Sequence, residues 1–180
     1  MIARLLRRSV RRFAARHDYD ASYMLHVVDT STSAGVRLAA LPFFTQFTGP
    51  RGSGGVWAGA VLASTLEGDC GPCVQLVLDM AIEKGVPADL LALCIEGRAK
   101  EAGEVGLGFR FAEAAIADAP ELDTLRAEIE ARHGAEAVVA ASFASAGGRI
   151  YPVMKRGLGF GKSCRRLRIG EREIGVVRQA

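Results

Sequence analysis

The sequence predicts an all-α protein, and three observations carry that reading. Apolar residues recur at three- and four-residue spacing along most of the chain, the signature of helices with one buried face. Neither β-branched runs nor period-two alternation occurs before residue 160. The composition is 49% apolar but only 7% aromatic, with Ala, Leu, Val and Gly prominent, which suits close-packed helices better than an aromatic-rich sandwich.

At 180 residues the chain has the size of one ordinary domain, large enough to bury roughly 70% of the surface its unfolded form would expose. No apolar run approaches the roughly 18 residues of a membrane-spanning helix, so a soluble protein is expected. Three segments are distinguished: a basic amphipathic helix over 1–18, a helical domain over 19–162, and a basic tail or short hairpin over 163–180.

Residues 1–16 carry six arginines and no acid, and residues 149–180 carry nine basic and two acidic groups. The middle, 17–148, holds eight basic and eighteen acidic groups, a net charge of −10. Basic ends on an acidic centre favour docking between parts of the protein or between copies. Nucleic acid is not expected as a partner, because no RNA-binding motif or interleaved aromatic pattern accompanies the arginines.

In chain order, Ile2, Leu5, Leu6, Val10, Phe13 and Ala14 form an apolar stripe opposite Arg4, Arg7, Arg8, Arg11, Arg12 and Arg16. Packing of that stripe on the domain is preferred to membrane contact through residues 1–16, a partner-binding arm or a targeting peptide. A second helix spans Asp20 to Thr30 with Asp20 or Ser22 as cap; its His26 reads as a packed or surface residue. A third covers Ala34 to Leu41 and is expected to end at Pro42. The Gly-rich stretch 48–55 lacks a Gly-Lys-Ser/Thr ending and a preceding strand, and is read as a flexible connector.

Val56 to Leu66 is short and apolar with small residues, as a buried helix would be. The turn Glu67-Gly68-Asp69 follows, with Asp69 placed to cap the next helix. In 71–84, Gln75, Asp79 and Glu83 form one narrow polar row while apolar residues cover the rest, so this helix is largely buried. Pro72 suits its first turn. Further helices are expected over Ala88–Lys100, Leu107–Ala119, Leu122–Arg132, Ala135–Ala146 and within 147–157, then a hairpin between Arg166 and Val177.

The four cysteines stand at 70, 73, 94 and 164, one close pair and two isolated thiols. A reducing, cytoplasmic compartment fits this usage better than secretion. Cys70 and Cys73 stand at a helix start, where both side chains reach one another. Unpaired amide hydrogens stabilise a thiolate at Cys70, the more open end, whereas burial disfavours one at Cys73; Glu67 and Asp69 raise the thiol pKa or relay its proton. Such a pair can cycle between dithiol and disulfide. Zinc would need four ligands, and Cys94 and Cys164 make no second close pair. A purely structural pair of small buried residues is the bland alternative. Thioredoxin shares Cys-Gly-Pro-Cys, but there a β-strand precedes the motif, and here twelve Ala- and Gly-rich residues do.

The Cys-x-x-Cys helix, Ala81, Gly85-Val86-Pro87, Leu90-Leu91, Phe111-Ala112-Glu113-Ala114-Ala115, Leu125-Arg126 and the run Glu136-Ala137-Val138 resemble the alkylhydroperoxidase D-like (AhpD-like), carboxymuconolactone decarboxylase superfamily over roughly residues 55–157. The resemblance implies an all-helical AhpD-like fold, assembly into homo-oligomers (trimers or hexamers), and thiol-dependent reduction of a peroxide or a partner disulfide; no cofactor or metal is expected. It implies that Cys73 attacks peroxide and Cys70 resolves, with an unidentified thiol as reductant. Peroxidase members usually carry a histidine four residues after the second cysteine, where this chain has Val77, and an upstream glutamate near Ala58. Glu67 is the local candidate for the missing acid-base role. The function expected is a thiol-dependent oxidoreductase; a non-catalytic oligomeric scaffold or redox-sensing binding protein is the alternative.

Overall fold

A computed structural model describes residues 1–161, 166–169 and 172–175. The architecture is all-α with a small terminal hairpin. Among the described residues ten α-helices run in order: α1 Ile2–Arg16, α2 Ser22–Thr30, α3 Thr32–Thr45, α4 Gly54–Glu67, α5 Gly71–Glu83, α6 Ala88–Ile95, α7 Gly103–Ala117, α8 Leu122–His133, α9 Ala135–Gly147 and α10 Ile150–Gly157. A 3₁₀ turn, Ala99–Glu101, precedes α7. Strands β1 Arg166–Ile169 and β2 Arg172–Gly175 pair antiparallel, Arg166 opposite Gly175 and Ile169 opposite Arg172. The connecting residues of the expected hairpin, and Cys164, lie outside the described residues.

The core is built on α4, in which every residue from Val56 to Thr65 is buried. It packs chiefly on α7 and then on α9. Small residues permit the approach: a Cβ on Gly59 would overlap the Val105 carbonyl, and one on Gly108 would overlap that of Val56. The two helices therefore interlock backbone to backbone. Helices α6 and α8 flank this centre against α7. Leu167 and Ile169 of β1 reach the same core. No helix among the described residues is long and apolar enough to cross a membrane.

Helices α1, α2 and α3 form a second layer, packed on one another and, through α3, on α9. The stripe of α1 does pack inward, through Leu6, Val10 and Phe13, but no residue of this helix is fully buried, and Ile2 and Leu5 stay exposed. Its arginines include two struts, Arg7 to Asp29 at 2.6 Å and Arg16 to Glu83 at 3.2 Å.

Several boundaries differ from the sequence reading. Helix α3 continues through Pro42 to Thr45; a proline removes one hydrogen bond of the ladder, and Gln46 resumes it by donating to the Pro42 carbonyl at 3.0 Å. The N-cap of α2 is Ala21, whose side chain cannot cap, and not Asp20 or Ser22; Asp20 instead accepts from the Ser22 amide and hydroxyl. The segment 48–55 is tied down: the buried Ser53 hydroxyl contacts the carbonyls of Thr48 and Pro50, each at 2.8 Å, and α4 begins at Gly54. Helix α6 stops at Ile95, because Gly97 takes φ +80° and turns the chain into the 3₁₀ segment. His26 packs its ring against Phe160, with centroids 5.5 Å apart.

Candidate redox site

Cys70 and Cys73 are joined in a disulfide at the N-terminus of α5, with Cα atoms 5.3 Å apart. Local structure brings them together. Asp69 adopts φ +52°, which reverses the chain between α4 and α5. Cys70, not Asp69, then occupies the N-cap, and its carbonyl accepts from the amides of Cys73 and Val74 at 2.9 and 3.0 Å. Residues three apart across this first turn share a face. Helix α10 braces the turn, since Pro152 packs against Gly68 and the Arg156 guanidinium donates to the Gly68 carbonyl at 2.9 Å.

That bracing removes the asymmetry expected between the two cysteines. Both are 4% exposed, so Cys70 is not the more open of the pair. What distinguishes them is surroundings: Cys73 forms part of the wall of an apolar cavity of about 220 Å³ between the α1–α3 layer and helices α4 and α5. The Tyr19 hydroxyl stands 3.7 Å from the Cys73 sulfur. Lys155, itself 3% exposed, donates from Nζ to the Tyr19 oxygen at 3.3 Å. A Lys155–Tyr19–Cys73 chain thus links α10 and the α1–α2 turn to the disulfide.

Burial pushes the Tyr19 phenol up to about 12, so it remains a proton donor throughout the physiological range. Its ring is fixed edge-on between Phe13 and Tyr23, at centroid distances of 5.9 and 6.5 Å. Lys155 lies over the Tyr19 and Tyr23 rings, 5.0 and 5.2 Å from their centroids. Neither residue was singled out by sequence: Tyr19 is 54 and Lys155 82 positions from Cys73, and no local pattern marks them.

No family model, curated protein or solved structure matches this chain. The chemistry of the site therefore rests on its own geometry. Glu67, the acid nearest in sequence, ends α4 and pairs with Arg149 at 2.8 Å, with a half-exposed side chain. Val77 lines the cavity, and Ala58 is fully buried within α4. Both positions are apolar wall or core, so any proton transfer at Cys73 falls to other groups, of which Tyr19 makes the hydrogen bond. Among the described residues, no three His, Cys, Asp or Glu side chains converge on a common point that could hold a metal. Cys94 is a buried free thiol in α6, pushed up to about 12 chiefly by burial, and is a core residue.

Proposed function

We propose that the protein is a thiol-dependent oxidoreductase in which Cys70 and Cys73 cycle between dithiol and disulfide, reducing a peroxide or a partner disulfide. The observation that carries this reading is the position of Cys73: disulfide-bonded to Cys70, hydrogen-bonded to Tyr19 and on the wall of a cavity. A structural disulfide needs neither of the last two. The likeness of the Cys-x-x-Cys helix and the order of elements to the AhpD-like superfamily points the same way, as does the exposure of Phe43 and Val139 for assembly into a homo-oligomer.

In the dithiol state the Tyr19 hydroxyl donates to the Cys73 sulfur and stabilises its thiolate, while Lys155 holds the phenol oxygen from the other side. With a peroxide, the thiolate attacks one oxygen and the O–O bond breaks. The leaving oxygen takes a proton and departs as alcohol or water, and Cys73 becomes a sulfenic acid. The Cys70 thiol then attacks that sulfur, the S–S bond forms, and the hydroxyl leaves with the thiol proton as water. Two electrons have passed from dithiol to peroxide. With a disulfide substrate, Cys73 forms a mixed disulfide and Cys70 releases the second thiol. A cellular thiol reductant restores the dithiol.

Turnover of hydrogen peroxide, cumene hydroperoxide and a small disulfide should be measured with dithiothreitol or dihydrolipoamide as reductant. Cys73→Ser is expected to abolish turnover, and Cys70→Ser to slow it at least about tenfold, because the sulfenic acid must then be resolved by the external thiol. Wild-type turnover in both serine variants, or none in wild type with any reductant, would sink the proposal.

A further inference from the structure

We infer that the cavity beside Cys73 is a binding site for an uncharged, ring-bearing small molecule that accepts one hydrogen bond. The inference does not rest on the redox reading. Its size is the first argument. An apolar cavity of about 150 Å³ stays dry and takes up benzene, so about 220 Å³ suits a two-ring compound.

The wall is the second argument. Among the described residues, no Asp, Glu, Lys, Arg or His lines it. An ionised ligand would lose its hydration there with no charged side chain in contact, since Lys155 lies behind the Tyr19 and Tyr23 rings. Phe13, Tyr19, Tyr23, Trp57 and Tyr151 contribute rings from five parts of the chain, and flat surfaces of this kind pack edge-on or offset against another ring.

The third argument is the Tyr23 hydroxyl, a polar group beside the cavity. Tyr23 lines the cavity and is 1% exposed; its hydroxyl interacts with that of Tyr19 but makes no hydrogen bond of ordinary geometry among the described residues. A buried hydroxyl left so is costly, and a ligand carbonyl or hydroxyl oxygen would satisfy it. Entry is provided between α1 and α3, where Ser9, Ala39 and Pro42 belong both to the wall and to the exposed surface. A molecule held there would lie against Cys73.

The full-length protein should be titrated at neutral pH with 2-naphthol, with naphthalene, which has no oxygen, and with 2-naphthoate, which has the same rings and a negative charge. Saturable binding of one 2-naphthol per chain is expected, with naphthoate at least about tenfold weaker. Tyr23→Phe should reduce the affinity for naphthol about fivefold and leave that for naphthalene unchanged. Val61→Phe, which fills the cavity, should lower naphthol affinity at least about tenfold; Leu76→Phe is the second filling variant if the first fails to fold. A Cys70→Ser/Cys73→Ser double variant should still bind naphthol, so that failure of the redox reading and failure of this one are told apart. Absence of saturable naphthol binding, equal binding of naphthoate, or full affinity in the filled variants would overturn the inference.

Discussion

At the scale of single residues, the site turns on a contact made by two side chains far apart in sequence. Tyr19 reaches Cys73 because Asp18, at φ +46°, turns the chain out of α1 and the Tyr19 amide bonds back to the Ala14 carbonyl at 3.0 Å. The phenol is held protonated by burial, with its pKa raised to about 12. Tyr19→Phe keeps the ring and removes only the donor. We expect the reduced Cys73 thiol to become less acidic by about one pKa unit, equivalent to roughly 1.4 kcal/mol, and its reaction with iodoacetamide at pH 7 to slow about tenfold. An unchanged pH profile of alkylation would show that Tyr19 does not support the thiolate. The cysteine pair and its helix start were legible in the sequence. The partner was not, because a hydrogen bond across 54 positions leaves no periodicity to read.

At the scale of elements, two interlocks decide stability. The first is the α4–α7 crossing, where Gly59 faces the Val105 carbonyl and the Phe109 amide. Gly59→Ala should destabilise the protein by about 3 kcal/mol, since backbone rather than a flexible side chain must move. Gly54→Ala in the same helix, where an added Cβ meets nothing within 4 Å, should be neutral or stabilising by up to about 1 kcal/mol. Urea unfolding of both variants checks the contrast. The second interlock joins α7 to α8: Glu104 accepts from Arg132 at 3.0 Å and contacts His133 Nε2 at 2.5 Å. Burial alone would push the Glu104 carboxyl up, but these two partners outweigh it and hold it below the usual carboxylate range. A depressed pKa contributes stability above the unfolded value, near 4.3, that is lost as pH falls through the folded one. Glu104→Gln should therefore lower Tm by about 2 °C at pH 7, a modest effect because the pair is partly solvated, and the gap should narrow as pH falls below the unfolded value. A gap that persists in acid would assign the loss to packing.

The polar row of α5 is a further lesson at that scale. In the sequence Gln75, Asp79 and Glu83 form one narrow polar row. In the structure Gln75 donates to the Arg168 carbonyl and accepts from the Arg168 amide, each at 2.8 Å, so its side chain pairs with β1 as another strand would. Glu83 ties down Arg16 of α1. The row is where the two ends of the chain attach to α5.

For the whole molecule, the core and the redox pair are separable. The disulfide closes a loop of only four residues, for which chain entropy predicts a stabilisation of no more than about 2 kcal/mol. The core on α4, α7 and α9 does not depend on it. Full reduction should leave helical circular dichroism unchanged and shift the urea midpoint by the equivalent of at most about 2 kcal/mol. Cooperative unfolding on reduction would instead mark the bond as a structural staple. A fold that survives both states is what a dithiol cycle needs, and the α1–α3 layer, joined to the core mainly through α3 and α9, leaves a cavity beside the pair.

The sequence by itself determined the all-α class, the buried character of α4, and the pairing of Cys70 with Cys73; α5, expected to be largely buried, buries only one face and leaves Ile82 exposed. Each is local: helical periodicity, small-residue content and i, i+3 spacing act within a few turns of chain. Only the tertiary structure decided that Cys70 is as buried as Cys73, that Glu67 pairs with Arg149, and that Tyr19, Lys155 and an apolar cavity surround the sulfur. Those facts depend on how separate helices stack, where shape and hydrogen bonding between distant segments, rather than spacing along the chain, set the outcome.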